Sequence, residues 1–297
     1  MGLVAASATA NPLSPPAPCY RSQRLLDCLL ANAKRLTLRF DPLFHKADMA
    51  EDIPDATALV TGAGRRLGRT IALNLAQSGW RIGIHYHASE AEALSLVGEI
   101  LAMGGEAATL KADLGRLEDL GPLVEACCEA LGAPTCLINN AACFEWDSAE
   151  TCDEVSWARH LDINLRAPVF LTQAFARALP AGAQGNVINL IDQKVWCLNP
   201  DYFSYTIAKS ALWTATQTLA QALAPRIRVN AIAPGPVLPY QGQTEAEFRQ
   251  ECRNTLLKRV VSTDDVTAAV RFLLETPSIT GQMIALDGGQ HLARGGA

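Results

Sequence analysis

The chain of 297 residues is long enough for one large α/β domain or two small ones, and its 49% hydrophobic and 19% charged residues are typical of a well-packed globular protein. A formal net charge of -5 leaves no basic surplus for nucleic-acid binding. No apolar run reaches the roughly 18 residues that a membrane-spanning helix needs. Nucleic acid and membrane are therefore not expected as partners.

The nine cysteines are an odd number and include no C-x-x-C pair. This pattern favours free thiols in a reducing compartment, and hence a cytoplasmic protein, over a disulfide framework. His85 and His87 form a close histidine pair, but no cysteine or carboxylate cluster accompanies them. A metal site is therefore not predicted.

Residues 1–54 differ in composition from the rest of the chain. The first 19 are rich in Ala, Pro and Ser, and residues 21–40 alternate basic and apolar side chains. One interpretation is a targeting segment, since such segments are Arg-rich and acid-poor. We favour a disordered extension, or translation from an upstream start with Met49 as the true one. The folded domain is then expected at residues 55–292, with a tail at 293–297.

A nucleotide site is predicted at the start of this domain. An apolar run at 56–60 indicates a buried strand, the sequence TGAGRRLG follows it at 61–68, and a helix is expected to about Gln77. Glycines at 62, 64 and 68 allow a tight turn and the close approach of a pyrophosphate to backbone N–H groups at a helix N-terminus. A strand before and a helix after this turn are typical of dinucleotide binding.

The second strand, at 81–86, favours NADPH over NADH. An NAD site usually has an acid near the end of this strand to hold the ribose 2′-OH. Here no acid appears before Glu90, and Arg65 and Arg66 add positive charge in the glycine turn. The alternative is that the arginines are solvated and the nearby histidines merely cap the strand.

The remaining elements alternate along the chain. A polar loop and helix at about 237–257 are a candidate lid over the substrate. Seven strands alternating with helices predict a single doubly wound, mostly parallel, Rossmann-type α/β sheet with helices on both faces. We predict further strands at 107–111, 135–138, 186–191, 226–232 and 283–286, and helices at 90–103, 117–131, 156–178, 205–223 and 263–274.

Polar residues follow several of these strands, at the edge where ligands of open α/β sheets bind. Asp113 is placed to touch an adenine edge, and Asn140 with Ala141 leaves room for a flat ligand. Asp192 ends the fifth strand and is expected to face the same crevice, although a hydrogen-bonded strand cap would also explain it. Asn164, among apolar residues of a helix, needs partners, and a satisfied core amide is the simpler interpretation.

Tyr205 and Lys209 lie four residues apart in a stretch without Pro or Gly, so on a helix their side chains share one face. A phenol has a pKa of about 10, and a nearby ammonium favours the phenolate. The pair could therefore act as a general acid near neutral pH. A surface tyrosine beside a solvated lysine has the same spacing, and the upstream nucleotide site favours the catalytic interpretation.

In combination these motifs resemble the short-chain dehydrogenase/reductase family over about residues 55–292. The resemblance implies NAD(P)-dependent hydride transfer with Tyr205 as the acid. It further implies that Lys209 lowers the pKa of Tyr205 and holds the nicotinamide ribose, and that Asn164 holds a proton-relay water. Family members are usually homotetramers, so a homotetramer or homodimer is expected. The predicted cofactor-binding residues are Gly62, Gly64, Arg65, Arg66, Leu67, Gly68, His85, Ser89, Asp113, Asn140, Ala141, Tyr205, Lys209, Pro234 and Gly235.

One departure from the family pattern points to a branch of the family. The fifth strand ends in Asp192, where the family usually has a serine that polarises a carbonyl, and this substitution resembles the pteridine and dihydromonapterin reductases. In that branch Phe144 would stack on the pterin, for which ordinary packing is an equally open explanation, and Arg66 would contact both cofactor and pterin. Ala88 stands where the branch often has an arginine, which leaves Arg66, His85 and Ser89 to hold the 2′-phosphate.

These observations predict an NADPH-dependent oxidoreductase that reduces a ring C=N of a dihydropterin, with Arg66, Phe144, Asp192 and Tyr205 binding the substrate. The alternative is a carbonyl or alcohol oxidoreductase of the same family, similar to 3-oxoacyl reductases, in which Asp192 merely replaces the serine. A catalytically silent nucleotide-binding protein is disfavoured because Asn164, Tyr205 and Lys209 are all present.

Overall fold

The computed structural model describes residues 56–240 and 242–293, so the predicted extension at 1–54 and most of the predicted tail lie outside the described residues. The sheet has seven strands, which are β1 Thr57–Val60, β2 Arg81–Tyr86, β3 Ala107–Lys111, β4 Cys136–Asn139, β5 Gly185–Leu190, β6 Ile227–Pro234 and β7 Met283–Leu286. All neighbouring strands run parallel, in the order β3-β2-β1-β4-β5-β6-β7. The predicted doubly wound α/β sheet is confirmed.

The helix predicted at 156–178 is divided in the structure by a π turn at Asp162–Arg166. None of the eight α-helices in the described part of the chain combines the length and the hydropathy of a bilayer-spanning segment. They are α1 Arg66–Gln77, α2 Glu90–Ala102, α3 Leu117–Leu131, α4 Glu154–Leu161, α5 Ala167–Ala178, α6 Phe203–Leu223, α7 Glu245–Asn254 and α8 Thr263–Glu275, with short 3₁₀ turns at Gln193–Val195 and Gln290–Leu292.

Two hydrophobic cores cover the two faces of the sheet, because successive residues of a strand point to opposite sides. Ala58 and Val60 of β1 pack with Leu75 of α1 in one core, whereas Leu59 packs with Phe175 of α5 in the other. All five are almost fully buried. Fully burying a side chain such as Leu or Phe contributes about 1.5–3 kcal/mol, so these apolar runs hold the helices on both faces.

The functional edge of the sheet follows from the strand order. The chain runs outward from β1 to β3 and then returns to place β4 on the other side of β1. Connections from β1 and β4 therefore leave the sheet in opposite directions and open a crevice at their carboxyl ends. Thr61 and Asn140 immediately follow these two strands at the base of the crevice.

Candidate active site

The glycine turn between β1 and α1 has no room for larger side chains. Gly62 adopts a φ of +63°, and a Cβ on Gly68 would lie 2.4 Å from the carbonyl oxygen of Gly62. Asn140 fastens the turn to β4, because its Nδ2 donates to the carbonyl of Thr61 at 2.8 Å. The backbone N–H of Ala141 donates in turn to the Thr61 hydroxyl at 3.0 Å. The turn therefore forms a rigid cradle at the N-terminus of α1, where an anion is favoured.

His85 has a different role from the one predicted. Its side chain is 2% exposed, and Nδ1 accepts the N–H of Gly62 at 3.0 Å, so Nε2 carries the proton and donates to the Ala112 carbonyl at 3.2 Å. Burial lowers its pKa from 6.5 to about 4, which keeps the ring neutral. The prediction that His85 helps hold a 2′-phosphate is contradicted, because the ring has no free donor and instead orients the glycine turn.

Other predicted phosphate-binding residues lie at the mouth of the crevice. The Arg65 guanidinium is exposed and forms an ion pair with Glu92 at 3.4 Å. Ser89 precedes α2, and its Oγ would lie 3.0 Å from a Cβ placed on Gly64. An exposed ion pair contributes little stability, so Arg65 is free to exchange the carboxylate for a phosphate.

A cleft of about 1600 Å³ runs along the carboxyl edge of the sheet and brings most of the predicted site residues together. Four predicted site residues do not line it, namely Gly64, Asn164, Lys209 and Pro234. The predicted residues that line it are Gly62, Arg65, Arg66, Leu67, Gly68, His85, Ser89, Asp113, Asn140, Ala141, Phe144, Asp192, Tyr205 and Gly235.

Tyr205, at the start of α6, and Asp192, two residues after the end of β5, form a hydrogen-bonded pair in this cleft. The tyrosine hydroxyl donates to Oδ2 of Asp192 at 3.0 Å, and Oδ1 accepts the backbone N–H of Lys194 at 2.8 Å. Lys209 lies one turn along the helix, with Nζ 5.8 Å from the centre of the tyrosine ring, and donates to the Leu190 carbonyl at 2.7 Å.

Burial controls the protonation of all three groups. It raises the pKa of the Asp192 carboxyl, and together with the Asp192 charge it raises the pKa of Tyr205 well above 10. It lowers the pKa of Lys209 from 10.5 to about 8. Desolvation and the Asp192 carboxylate both oppose the phenolate, so the lowering of the tyrosine pKa by Lys209 stays a prediction. The raised pKa values favour the neutral phenol and make the Asp192 carboxyl easier to protonate than a solvated one.

Asn164 lies in the π turn, fully buried. Its Nδ2 donates to the Cys143 carbonyl and its Oδ1 accepts the Cys143 N–H, both at 2.9 Å. The interpretation as a satisfied core amide therefore fits, and the amide fixes the loop after β4. Its role in holding a relay water stays a prediction.

An aromatic cluster covers Tyr205. Phe144 stacks on Tyr202, with ring centres 4.2 Å apart at 11°, and meets the edge of Tyr205 at 4.8 Å. Tyr240 completes the cluster at 5.7 Å from Phe144. Tyr202 and Tyr240 are not among the site residues predicted from the sequence. Tyr202 could have been found, since it lies about one helical turn before Tyr205, whereas Tyr240 reaches the cluster only through the fold of its loop.

The loop after β6 closes over the cluster and is fastened by Arg66. The guanidinium of Arg66 donates to the carbonyls of Leu238 and Pro239 at 3.3 and 2.8 Å. On α7, the Glu251 carboxylate accepts from Gln243 Nε2 at 2.9 Å and lines the cleft. This segment coincides with the predicted lid, and it brings an acidic side chain into the cleft near Tyr202 of the aromatic cluster.

Comparisons with known proteins agree with this geometry. The sequence model of the family described as enoyl-(acyl carrier protein) reductase matches residues 62–291. An uncharacterised oxidoreductase of Methylorubrum extorquens is 33% identical, covering 78% of this chain and 96% of its own length. A 3-oxoacyl-[acyl-carrier-protein] reductase of Synechocystis is 30% identical, covering 78% and 95%. The crystal structure of FolM alternative dihydrofolate reductase 1 from Brucella canis, complexed with NADP, superposes with a TM-score of 0.80 at 44% identity, covering 82% and 97%.

Proposed function

The chain belongs to the short-chain dehydrogenase/reductase family, and we propose that it uses NADPH to reduce a ring C=N bond of a dihydropterin. The observation that carries the proposal is the hydrogen bond between Tyr205 and Asp192, in the place where a serine hydroxyl would polarise a carbonyl. A carboxyl group with a raised pKa can supply a proton, which a serine hydroxyl does far less readily.

The cleft fits the proposed cofactor. The turn that carries Gly62 and Gly68 leads into the N-terminus of α1, whose first backbone N–H groups have no partners within the helix and can bind a pyrophosphate. A Cβ on Gly68 would lie 2.4 Å from the Gly62 carbonyl oxygen and distort this turn. Arg65 and Ser89 would hold the 2′-phosphate. When bound, NADPH supplies the hydride from its nicotinamide ring. Lys209 would hold the adjoining ribose.

The protein residues supply the proton. Reduction of C=N adds a hydride to the carbon and a proton to the nitrogen, so the products are NADP⁺ and a CH–NH unit. We assign the proton donor as the Tyr205 hydroxyl, which is hydrogen-bonded to Asp192. When Asp192 holds a proton, its carboxyl donates to the tyrosine oxygen over the same contact, and the phenol proton can pass to the substrate nitrogen. The Asp192 proton then moves to the tyrosine oxygen, which avoids a phenolate in a site that strongly disfavours one.

The aromatic cluster supports a flat substrate. Phe144 presents a ring beside Tyr205, where it would sandwich a pterin against the nicotinamide and hold the reacting atoms in line. The name of the Brucella canis neighbour, an alternative dihydrofolate reductase, supports the same class of substrate. The 3-oxoacyl reductase among the sequence relatives supports the alternative of a carbonyl substrate.

Substrate turnover tests the proposal. Purified protein is mixed with NADPH and either 7,8-dihydromonapterin, 7,8-dihydrobiopterin or acetoacetyl-CoA, and the absorbance of the reduced nicotinamide is followed. A no-enzyme control corrects for spontaneous pterin oxidation. We expect turnover of the dihydropterins, little of the ketone, and a marked loss of rate with NADH. Efficient ketone reduction without pterin turnover would replace this proposal with the carbonyl one.

A further inference from the structure

Phe144 lies on a short loop after β4 whose neighbouring residues are fastened to the helices beneath it. Asn164 holds the backbone of Cys143 on one side, with both hydrogen bonds at 2.9 Å. On the other side, the N–H of Glu145 donates to Nε2 of His160, on α4, at 3.2 Å. The backbone on both sides of Phe144 is therefore fixed by fully buried polar side chains.

A chain of hydrogen bonds continues from this histidine. Because Nε2 accepts, Nδ1 carries the proton and donates to the Ser204 hydroxyl at 2.7 Å. The hydroxyl in turn donates to Oδ2 of Asp147 in a short hydrogen bond, and Ser156 donates to the same oxygen at 3.1 Å. His160 and Ser204 are fully buried and Asp147 is 3% exposed. Buried networks in which every group is paired are stiff.

The same carboxylate caps the helix that carries the catalytic tyrosine. The N–H of Ser204 donates to Oδ1 of Asp147 at 3.1 Å, and the N–H of Phe203 donates to the Asp147 carbonyl at 3.2 Å. The residue at the cap position of α6, Tyr202, makes no side-chain cap bond of its own. A negative charge is favourable at a helix N-terminus, so Asp147 joins the Phe144 loop to the first turn of α6.

We propose that Asp147, Ser204 and His160 are positioning residues that hold the Phe144 ring at a fixed distance from Tyr205 and so set the width of the slot for the substrate ring. None of the three residues lines the cleft, and the network acts through the loop at one end and through α6 at the other. The inference rests on the proposed function for its consequence in turnover. The position of the Phe144 ring itself can be measured without any substrate.

The test removes one hydroxyl from the network. The variant is Ser204→Ala, and the control is Thr172→Val, which removes a hydroxyl on α5 away from the site. The Thr172 hydroxyl is as buried as that of Ser204 and donates only to the Pro168 carbonyl. Both variants carry 4-fluorophenylalanine at residue 144 for fluorine NMR. In Ser204→Ala we expect a shifted and broadened resonance, a dihydropterin KM raised about 10-fold, and a kcat and NADPH Kd within about 3-fold of the parent. The control should match the parent in all four.

Two results would overturn the proposal. One is an unchanged fluorine resonance in Ser204→Ala, and the other is an NADPH Kd that rises by the same factor as the pterin KM. If Ser204→Ala does not fold, His160→Phe, which keeps a ring but removes both nitrogens, is judged by the same measurements. A protein that turns over no pterin at all refutes the proposed substrate, and the fluorine spectra then decide the positioning role separately.

Discussion

Lys209 is a cation buried beside Tyr205, and we predict that replacing it stabilises the fold and strongly lowers activity. Its side chain is 2% exposed, and burial lowers its pKa from 10.5 to about 8, although the Asp192 carboxylate partly opposes this. Lys209→Met keeps the length of the side chain and removes the charge. The chain thus retains an ammonium at a position where protonation opposes folding.

The magnitude follows from the pKa difference between the unfolded and folded states. At about 1.36 kcal/mol per pKa unit, the fall from 10.5 to about 8 corresponds to about 3 kcal/mol. Below about pH 8 the lysine is protonated in both states, so the folded state carries the full penalty. Above that pH the unfolded chain binds more protons, and the free energy of unfolding rises until about pH 10.5.

The methionine variant loses this penalty and also one hydrogen bond, the one from Nζ to the Leu190 carbonyl. Loss of that bond costs about 1 kcal/mol, so the net gain at pH 7 should be about 1–2 kcal/mol. For a domain of this size, that gain raises Tm by about 2–8 °C. The gain should shrink as the pH rises, because the parent then loses its proton and its penalty.

Urea unfolding at pH 7 and pH 9.5, without cofactor, measures the effect. Lys111→Met, at an exposed lysine of β3, is the control and should change the free energy of unfolding by less than about 0.5 kcal/mol. NADPH-dependent turnover of Lys209→Met should fall at least about 100-fold. A variant less stable than the parent at pH 7, or a stability difference that does not depend on pH, would refute this reasoning.

Three further substitutions test separate parts of the site. Tyr205→Phe should lower kcat at least about 1000-fold with NADPH affinity retained, and substantial residual turnover would remove the tyrosine from the mechanism. Gly68→Ala places a Cβ 2.4 Å from the Gly62 carbonyl oxygen, so NADPH should bind at least about 10-fold more weakly in a fluorescence titration. The control Gly98→Ala has open space around its Cβ position and should bind NADPH as the parent does. Glu251→Gln removes a carboxylate from the cleft. Dihydrofolate carries an anionic glutamate tail that this carboxylate would repel, so its kcat/KM should rise about 3- to 10-fold relative to that of neutral dihydromonapterin. An unchanged ratio would place Glu251 away from the tail.

The fold and the outline of the site could be predicted because their signals are local. Apolar runs ended by glycine indicate strands, and the spacing of Tyr205 and Lys209 places both on one helix face whatever surrounds them. Asp192 follows a strand, and the edge of the sheet where such residues gather is common to all open α/β folds. These predictions needed no knowledge of which distant segments meet.

What escaped prediction depends on burial and on distant pairing. The neutrality of His85 arises because β2 lies inside the sheet and its ring meets Gly62. The raised pKa of Tyr205 reflects desolvation, which an i, i+4 spacing does not reveal. Asp147 and Ser204 are 57 residues apart in the chain, and only the folded structure shows that they are paired.

A comparison of kcat/KM for 7,8-dihydromonapterin and for acetoacetyl-CoA in the parent and in Asp192→Ser, both with NADPH, tests the proposed function most directly. We propose that the carboxyl paired with Tyr205 favours reduction of C=N over C=O bonds at this site. The ratio of pterin to ketone kcat/KM should therefore fall at least about 100-fold in the serine variant, with NADPH affinity unchanged. An Asp192→Ser variant that keeps the parent's ratio would rule this proposal out.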